Sequence, residues 1–464
     1  MNVFKFNLIK ESKKPIYIQL YSFIKEEIEL GELKANDKLP SKRKLASSLG
    51  ISQNTVESAY SQLIVEGYVK SVEKKGYYVL EIASLLNSKK EDLINYENKK
   101  EKNNYKYEFL SSRVDLNSFP YSLWKKINKD IINEDNKEIL QLGHSQGDYN
   151  LRHEIASYLK SSRGVNTSPY NIVIGAGSEY LIQLLIGLIG MDKSYGMEEP
   201  GYYKIRKILK NFNIDIEGIE IDENGIKVDD LKESKINVAY ITPSHQFPTG
   251  VIMPIKRRLE LLKWANEDLN RYIIEDDYDS EFRFEGKPIP SLQSLDSENK
   301  VIYIGTLSKA FAPSIRLAYM VLPKELIDLY RERYSFYACT VSRATQQVIY
   351  KFIKDGHFER HLNKMRNIYK RKREFLVNEI KNNFNNVEII GTNSGLHLLI
   401  KINNNMSEEE LIERAKKEKV RVLGISTSYK NKRSNESIIS LGYGSLSLEE
   451  IREGILLLKK AWNV

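Results

Sequence analysis

The sequence predicts an α/β protein in two unlike parts: a small winged helix-turn-helix unit over residues 1–80 and a large unit over residues 108–464 built on a mainly parallel sheet. Three observations carry this. The first 80 residues read helix, helix, helix, hairpin. From Glu108 onward, short apolar strand signals alternate with helical stretches, the pattern of a parallel sheet covered by helices on both faces. Between them, residues 81–107 are rich in Lys, Asn and Glu and almost without apolar periodicity, so they read as a flexible linker that cannot bury enough surface to offset its ordering entropy.

Bulk properties narrow the class. The chain has 464 residues, one cysteine (Cys339) and a formal net charge of +9. A single cysteine excludes a disulfide framework and fits a reducing compartment. The opening MNVFKFNLIKESKKP lacks the apolar core of a signal peptide. The longest apolar run, Leu181 to Met191, is too short to span a bilayer and reads as a buried helix. The expectation is a soluble cytoplasmic protein with no membrane partner and no metal site.

In PIYIQLYSFIKEEIELG, Tyr17, Leu20, Tyr21, Ile24 and Ile28 lie on one helical stripe closed by Gly31. LPSKRKLASSLG gives a short second helix capped by Ser41 and ended by Gly50. ISQNTVESAYSQLIVEG follows at once, with Ser52 as cap and Val56, Ala59, Tyr60, Leu63 and Ile64 as its buried face. Two helices joined so tightly make a helix-turn-helix, and YVKSVEKKGYYVL adds a hairpin turning at Lys75-Gly76. Residues 1–80 carry 13 Lys and Arg against 9 Asp and Glu, a net +4, so nearly half the excess positive charge sits in a sixth of the length. Gln53, Asn54 and Thr55, at the exposed start of the third helix, carry side chains suited to base edges or phosphates in a major groove. Lys42, Arg43, Lys44, Lys74 and Lys75 are placed to reach phosphates. Charges alone would read as a solvated face; charges on this architecture point to double-stranded DNA.

In the large unit, NIVIGAG, NVAYITPS, RYIIEDDYD and VIYIGTLSK are strand-like runs, and each ends in polar residues. After NIVIG, Gly177 and Ser178 open an apolar helix whose N–H groups suit a phosphate. Asp276 ends the third run, with Tyr278 two residues on. Thr306, Ser308, Lys309 and Arg316 follow the fourth, and Tyr202 sits on the turn Glu199-Pro200-Gly201. Taken singly, Lys309 would snorkel its charge to water, Asp276 would cap a helix, and Tyr202 would be packing. In this order on successive strands they are the parts pyridoxal 5′-phosphate requires: an amine for the aldehyde, a carboxylate for the pyridine nitrogen, a phenol for the ring oxygen, an aromatic for the ring face, and hydroxyls with a guanidinium for the phosphate.

Two resemblances sharpen this reading. Residues 15–79 resemble the DNA-binding domain of GntR-type bacterial regulators, which implies DNA contacts from Arg43, Asn54 and Thr55 and a wing tip at Gly76 entering the minor groove. An arginine is usual in that family where this chain has Gln53; glutamine favours adenine where arginine favours guanine, so the operator is expected to differ. From Glu108 onward, SQGDYNLRHEIASYL, AGSEY, EEPGYY, TPSHQFPTG, EDDYDSEFR and GTLSKAFAPSIRLAYM resemble fold-type I aminotransferases. That resemblance implies a smaller C-terminal α/β subdomain, Lys309 as the Schiff-base lysine, Asp276 at the pyridine nitrogen, Tyr278 at the ring oxygen and Tyr202 on the ring. It assigns Gly177, Ser178, Thr306, Ser308 and Arg316 to the phosphate. The union of both parts resembles the MocR/GabR group of transcriptional regulators. It implies a head-to-tail homodimer that senses a small amine, an amino acid or the cofactor itself through an internal aldimine on Lys309.

Two other readings remain in play: an aminotransferase carrying a DNA-binding domain, and a DNA-binding protein whose large part is a scaffold without cofactor. The intact lysine, aspartate, tyrosine and arginine set argues against the scaffold. Against ordinary turnover stands ESIISLGYG, which puts Ser440 where aminotransferases of this fold hold an arginine for the substrate's α-carboxylate. Arg433, Lys204 and Arg206 are the candidates to compensate.

Overall fold

A computed structural model describes residues 14–81, 104–284, 289–430 and 437–463. The chain divides into two compact units, residues 1–102 and 103–464. Most of the expected linker, 82–103, lies outside the described residues, and Tyr107 at its far end is a buried strand residue.

The small unit holds helices α1 (Ile16–Glu29), α2 (Lys42–Leu49) and α3 (Gln53–Val65). Leu20, Ile24 and Ile28 of α1 pack with Val56, Ala59, Tyr60 and Leu63 of α3 in one core, and Tyr17 stands exposed at the edge of the expected stripe. The caps are as the sequence predicts. Ser41 Oγ accepts from Lys44 N at 3.3 Å, Ser52 Oγ accepts from Thr55 N at 3.1 Å, and Gly50 takes the left-handed conformation at φ 63° that ends α2. The wing corrects the expected hairpin twice. Its strands β2 (Val69–Val72) and β3 (Gly76–Val79) turn through residues 73–75, one position earlier than expected, with Lys74 left-handed at φ 57°. A third strand, β1 (Lys38–Leu39), pairs with β3 and ties the wing to the loop before α2.

The large unit is organised by an eight-stranded sheet. In spatial order its strands are Ile172–Gly175, Ala318–Val321, Val301–Thr306, Tyr272–Asp277, Val238–Ile241, Tyr195–Glu199, Glu217–Asp222 and Gly225–Ile226. The five strands from Val301–Thr306 to Glu217–Asp222 are mutually parallel. The three central ones are buried almost throughout, as strands covered on both faces must be. Ala318–Val321 runs antiparallel to both neighbours, because the short loop 307–317 allows a reversal but no crossover. That loop carries Lys309 and Arg316. A second, four-stranded antiparallel sheet near the C terminus (Val387–Ile390, His397–Ile402, Ile438–Gly442, Leu423–Gly424) forms the smaller subdomain. The run Leu181–Met191 lies mostly in the buried helix Ser178–Ile189. No helix among the described residues is long and apolar enough to cross a membrane.

Candidate functional site

On the small unit, the starts of α2 and α3 present Arg43, Lys44, Gln53 and Asn54 to solvent. Thr55 is half-buried, its hydroxyl 2.8 Å from Ser52 Oγ, so capping already engages it. Lys42 is engaged too, in a 2.6 Å ion pair with Glu57. Lys74 and Lys75 stand exposed at the wing tip. Gly76 has φ 113°, a conformation that L side chains rarely adopt, and a Cβ there would sit 3.3 Å from Lys38 Cε.

In the large unit the sequence-predicted residues gather at the carboxyl ends of the parallel strands, where a doubly wound sheet leaves its crevice. Pairing register explains two consecutive carboxylates. Tyr240 lies opposite Ile274, so its phenol shares a face with Asp276 two residues on and donates to the Asp276 carboxylate. Tyr303 lies opposite Glu275, and on that other face Asp277 accepts from Tyr303 Oη at 2.5 Å and pairs with Arg163 Nε at 2.8 Å. Asp277 is thus neutralised by a guanidinium, whereas burial pushes the Asp276 carboxyl up to about 7 despite the Tyr240 bond. A buried carboxyl in that condition suits a cationic N–H partner.

Lys309 lies three residues beyond the end of its strand. Its ammonium is 3.5 Å from Asp279 Oδ2 and 4.4 Å from the centre of the Tyr278 ring. The Tyr278 hydroxyl is 2.9 Å from His245 Nδ1, which is also 3.0 Å from Asp279 Oδ1. Burial works against ionisation of Asp279, but His245 and Lys309 more than offset it and hold the carboxyl down at about 2. His397, on the second sheet, donates from Nε2 to the Pro248 carbonyl at 3.1 Å, and burial lowers its pKa to about 3.

The remaining predicted residues line a cradle. Gly177 precedes the helix Ser178–Ile189 at φ 96°, and a Cβ there would collide with Arg316 Nη2, so only glycine admits the guanidinium. Arg316 Nη2 pairs with Glu179 Oε2 at 2.7 Å, and Lys204 Nζ lies 3.5 Å from the other Glu179 oxygen. Ser308 N donates to Thr306 Oγ1 at 3.2 Å, and the two hydroxyls are 3.1 Å apart. Tyr202 caps the next helix and packs edge-on against Phe247 at 5.3 Å. The helix N–H groups, two hydroxyls and a guanidinium make a fit for a phosphate dianion, and Asp276 with Tyr278 fits the two polar edges of a pyridinol ring.

Sequence reasoning missed His245, Asp279, Tyr240, His397, Phe247 and Glu179. His245 and Asp279 lie in TPSHQFPTG and EDDYDSEFR, four and two residues past a strand end, and that position was the available signal. Ser440 pairs with Leu399, two residues along from the His397–Gly442 pair, and so shares the face of His397. Of the candidate compensating cations, Lys204 faces Glu179, Arg206 donates to the carbonyls of Thr427 and Ser428 at 2.8 and 2.9 Å, and Arg433 lies outside the described residues.

Fold and site together define a winged-helix DNA-binding head carried on an aminotransferase-fold body with a lysine-centred site. Residues 16–79 match the family of bacterial regulatory proteins of the gntR type, and residues 112–441 match aminotransferase class I and II. Bacillus subtilis (strain 168) has a similar protein, an uncharacterized HTH-type transcriptional regulator, YdeL, 41% identical over 452 residues and 97% of each chain. The probable rhizopine catabolism regulatory protein MocR of Rhizobium meliloti is 28% identical, covering 98% of this chain and 95% of its own. Among solved structures, Pyrococcus horikoshii kynurenine aminotransferase in complex with PMP superposes with a TM-score of 0.70 at 25% identity, covering 78% of this chain and 92% of that one. The chain belongs to the HTH-type transcriptional regulators of the MocR type, in which a GntR-family head is fused to an aminotransferase class I and II domain.

Proposed function

We propose that this regulator binds pyridoxal 5′-phosphate on Lys309 and couples the occupancy of that site to binding of a double-stranded DNA operator. One observation carries the cofactor reading. The Lys309 ammonium stands between an ionised carboxylate and a phenol ring, with a buried Asp276 carboxyl and an arginine-lined glycine cradle gathered at the same strand ends. When bound, the cofactor supplies an aldehyde for the lysine amine and an electron sink for a ligand amine. Asp276 holds the ring nitrogen, Tyr278 the ring oxygen and Tyr202 the ring face. Gly177, Ser178, Thr306, Ser308 and Arg316 hold the phosphate.

In the head, Asn54 and Gln53 read base edges, and Arg43, Thr55, Lys75 and the Gly76 wing tip fix the domain on the backbone. Lys42 reaches a phosphate once it leaves Glu57. The protein works in the cytoplasm as a head-to-tail homodimer that presents two half-sites. Its effector is a small amine, an amino acid or the cofactor itself.

The nearly complete catalytic set favours a second reading, an aminotransferase with a DNA-binding head. The neutral Ser440 opposes it, because a serine cannot supply the charge and fork of a guanidinium to a carboxylate, and orientation is lost with the anchor. Steady-state kinetics over amino acids and keto acids separate the two. The regulator reading expects turnover well below about 1 per second, and a rate at or above that value supports the enzyme.

A further inference from the structure

His245 and Asp279 are among the most buried polar residues of the large unit, at 3% and 1% exposure, yet neither belongs to the set that touches a cofactor directly. They come from different strand ends, His245 after Val238–Ile241 and Asp279 after Tyr272–Asp277. Both Asp279 oxygens face one imidazole nitrogen: Nδ1 lies 3.0 Å from Oδ1 and 3.2 Å from Oδ2. The same nitrogen is 2.9 Å from the Tyr278 hydroxyl oxygen. Gly250 and Gly395 crowd the ring, since a Cβ at either would fall within 3.1 Å of it, so the imidazole has little room to turn.

These contacts fix the proton. A lone pair on Nδ1 would face an ionised carboxylate at two short distances, so Nδ1 carries hydrogen and donates to Asp279. The other nitrogen, Nε2, is buried and has no hydrogen-bond partner among the described residues. Nδ1 therefore has no lone pair to offer, whether or not Nε2 also carries hydrogen. The Tyr278 hydroxyl therefore cannot donate to His245. Its oxygen takes a share of the Nδ1–H bond, and its own proton is left for a different acceptor.

We propose that His245 and Asp279 are positioning residues that hold the Tyr278 hydroxyl as a donor toward the ring oxygen of a cofactor carried on Lys309. This deepens the cofactor reading and rests on it. Asp279 serves twice, orienting His245 and lying 3.5 Å from the Lys309 ammonium. The remaining ionisable groups around Tyr278 are Asp276 and Asp277 on its own strand, Glu198 from Tyr195–Glu199, Lys309 under its ring, and His397 from the second sheet. Among the described residues the Tyr278 hydroxyl hydrogen-bonds to His245 and to none of these, so the imidazole is the group that decides where its proton points.

The test uses the full-length protein loaded with pyridoxal 5′-phosphate and reads the pH midpoint at which the cofactor's visible band interconverts. A donated phenol proton stabilises the deprotonated ring oxygen and so lowers that midpoint. Tyr278→Phe should raise it, and His245→Leu, which lets the phenol turn to the Asp279 carboxylate, should raise it by about one pH unit, a tenfold change. His245→Leu should add little in the Tyr278→Phe background, because it acts through the phenol. His245→Asn, whose amide N–H replaces Nδ1–H, should stay near wild type and decides the matter if His245→Leu fails to hold the cofactor. A wild-type midpoint in His245→Leu, an undiminished shift in the double variant, or a shifted midpoint in His245→Asn overturns the proposal. Absence of any visible band from the wild-type protein would instead overturn the cofactor reading itself.

Discussion

In the head, Arg43, Gln53 and Asn54 stand exposed along two helix starts, whereas in the body Asp276, Asp277, Asp279 and His245 are buried at strand ends and committed to named partners. The head keeps its polar groups hydrated until a polyanion displaces their water and counterions, which suits fast, salt-sensitive association. The body desolvates its groups in advance and pairs its carboxylates within the fold, and burial pushes Asp276, whose hydrogen-bond partner is a phenol, up to about 7. One chain thus carries a surface that waits for charge and an interior that has already arranged it.

The sharpest way to break this contrast is Lys309→Ala. The visible band of the bound cofactor should disappear entirely, with the unfolding temperature near wild type, because Lys309 lies at the site and outside the apolar core clusters of the large unit. An unchanged spectrum would remove Lys309 from its role. Next in size is Asp276→Asn in the cofactor-free protein. The Asp276 carboxyl has a folded value of about 7 against the ordinary aspartate value of 3.8, so folding holds its proton more tightly than the unfolded chain does. Stability is therefore lost as pH rises from about 4 to about 7 and stays lost above that. Asparagine can still accept from Tyr240 and removes the penalty. Thermal unfolding should show the variant gaining on wild type by up to a few kcal/mol at pH 8 and by much less at pH 5. The same variant should hold the cofactor less tightly.

In the head the effects should be smaller and of a different kind. Asn54→Ala should cost about 1–3 kcal/mol of discrimination at one base pair, seen as relaxed preference in a competition assay over operator variants. Lys42→Ala should do least. Its charge is already paired with Glu57, so binding should weaken modestly and about equally on all sequences, with a slightly shallower salt slope.

The two regions also differ in how far the sequence discloses them. Head signals are local: Ser41, Gly50 and Ser52 act within one turn of themselves, and the apolar period of α3 points at its core directly. The exception is β1, two residues that pair with the distant Tyr77 and Tyr78 and leave no periodic trace. In the body, Lys309, Asp276 and Tyr278 were legible because each lies at or just past the end of an apolar strand. What could not be read is which residues meet across strands. Tyr240 reaches Asp276 through the pairing of Val238–Ile241 with Tyr272–Asp277, and His245 reaches Asp279 through loops whose packing no local pattern encodes. Glu179 shows the same limit. Its place in AGSEY marks a helix start, but its pairing with Arg316, 137 residues away, depends on the sheet order.

The central claim is that the body's lysine site governs the head's grip on DNA. The direct measurement is operator binding by the full-length protein with and without pyridoxal 5′-phosphate, run beside Lys309→Ala. The account expects the affinity or footprint of the wild-type protein to change on adding the cofactor and that of Lys309→Ala to stay constant. Identical binding of the wild-type protein in both conditions, or a response that survives in Lys309→Ala, would contradict it.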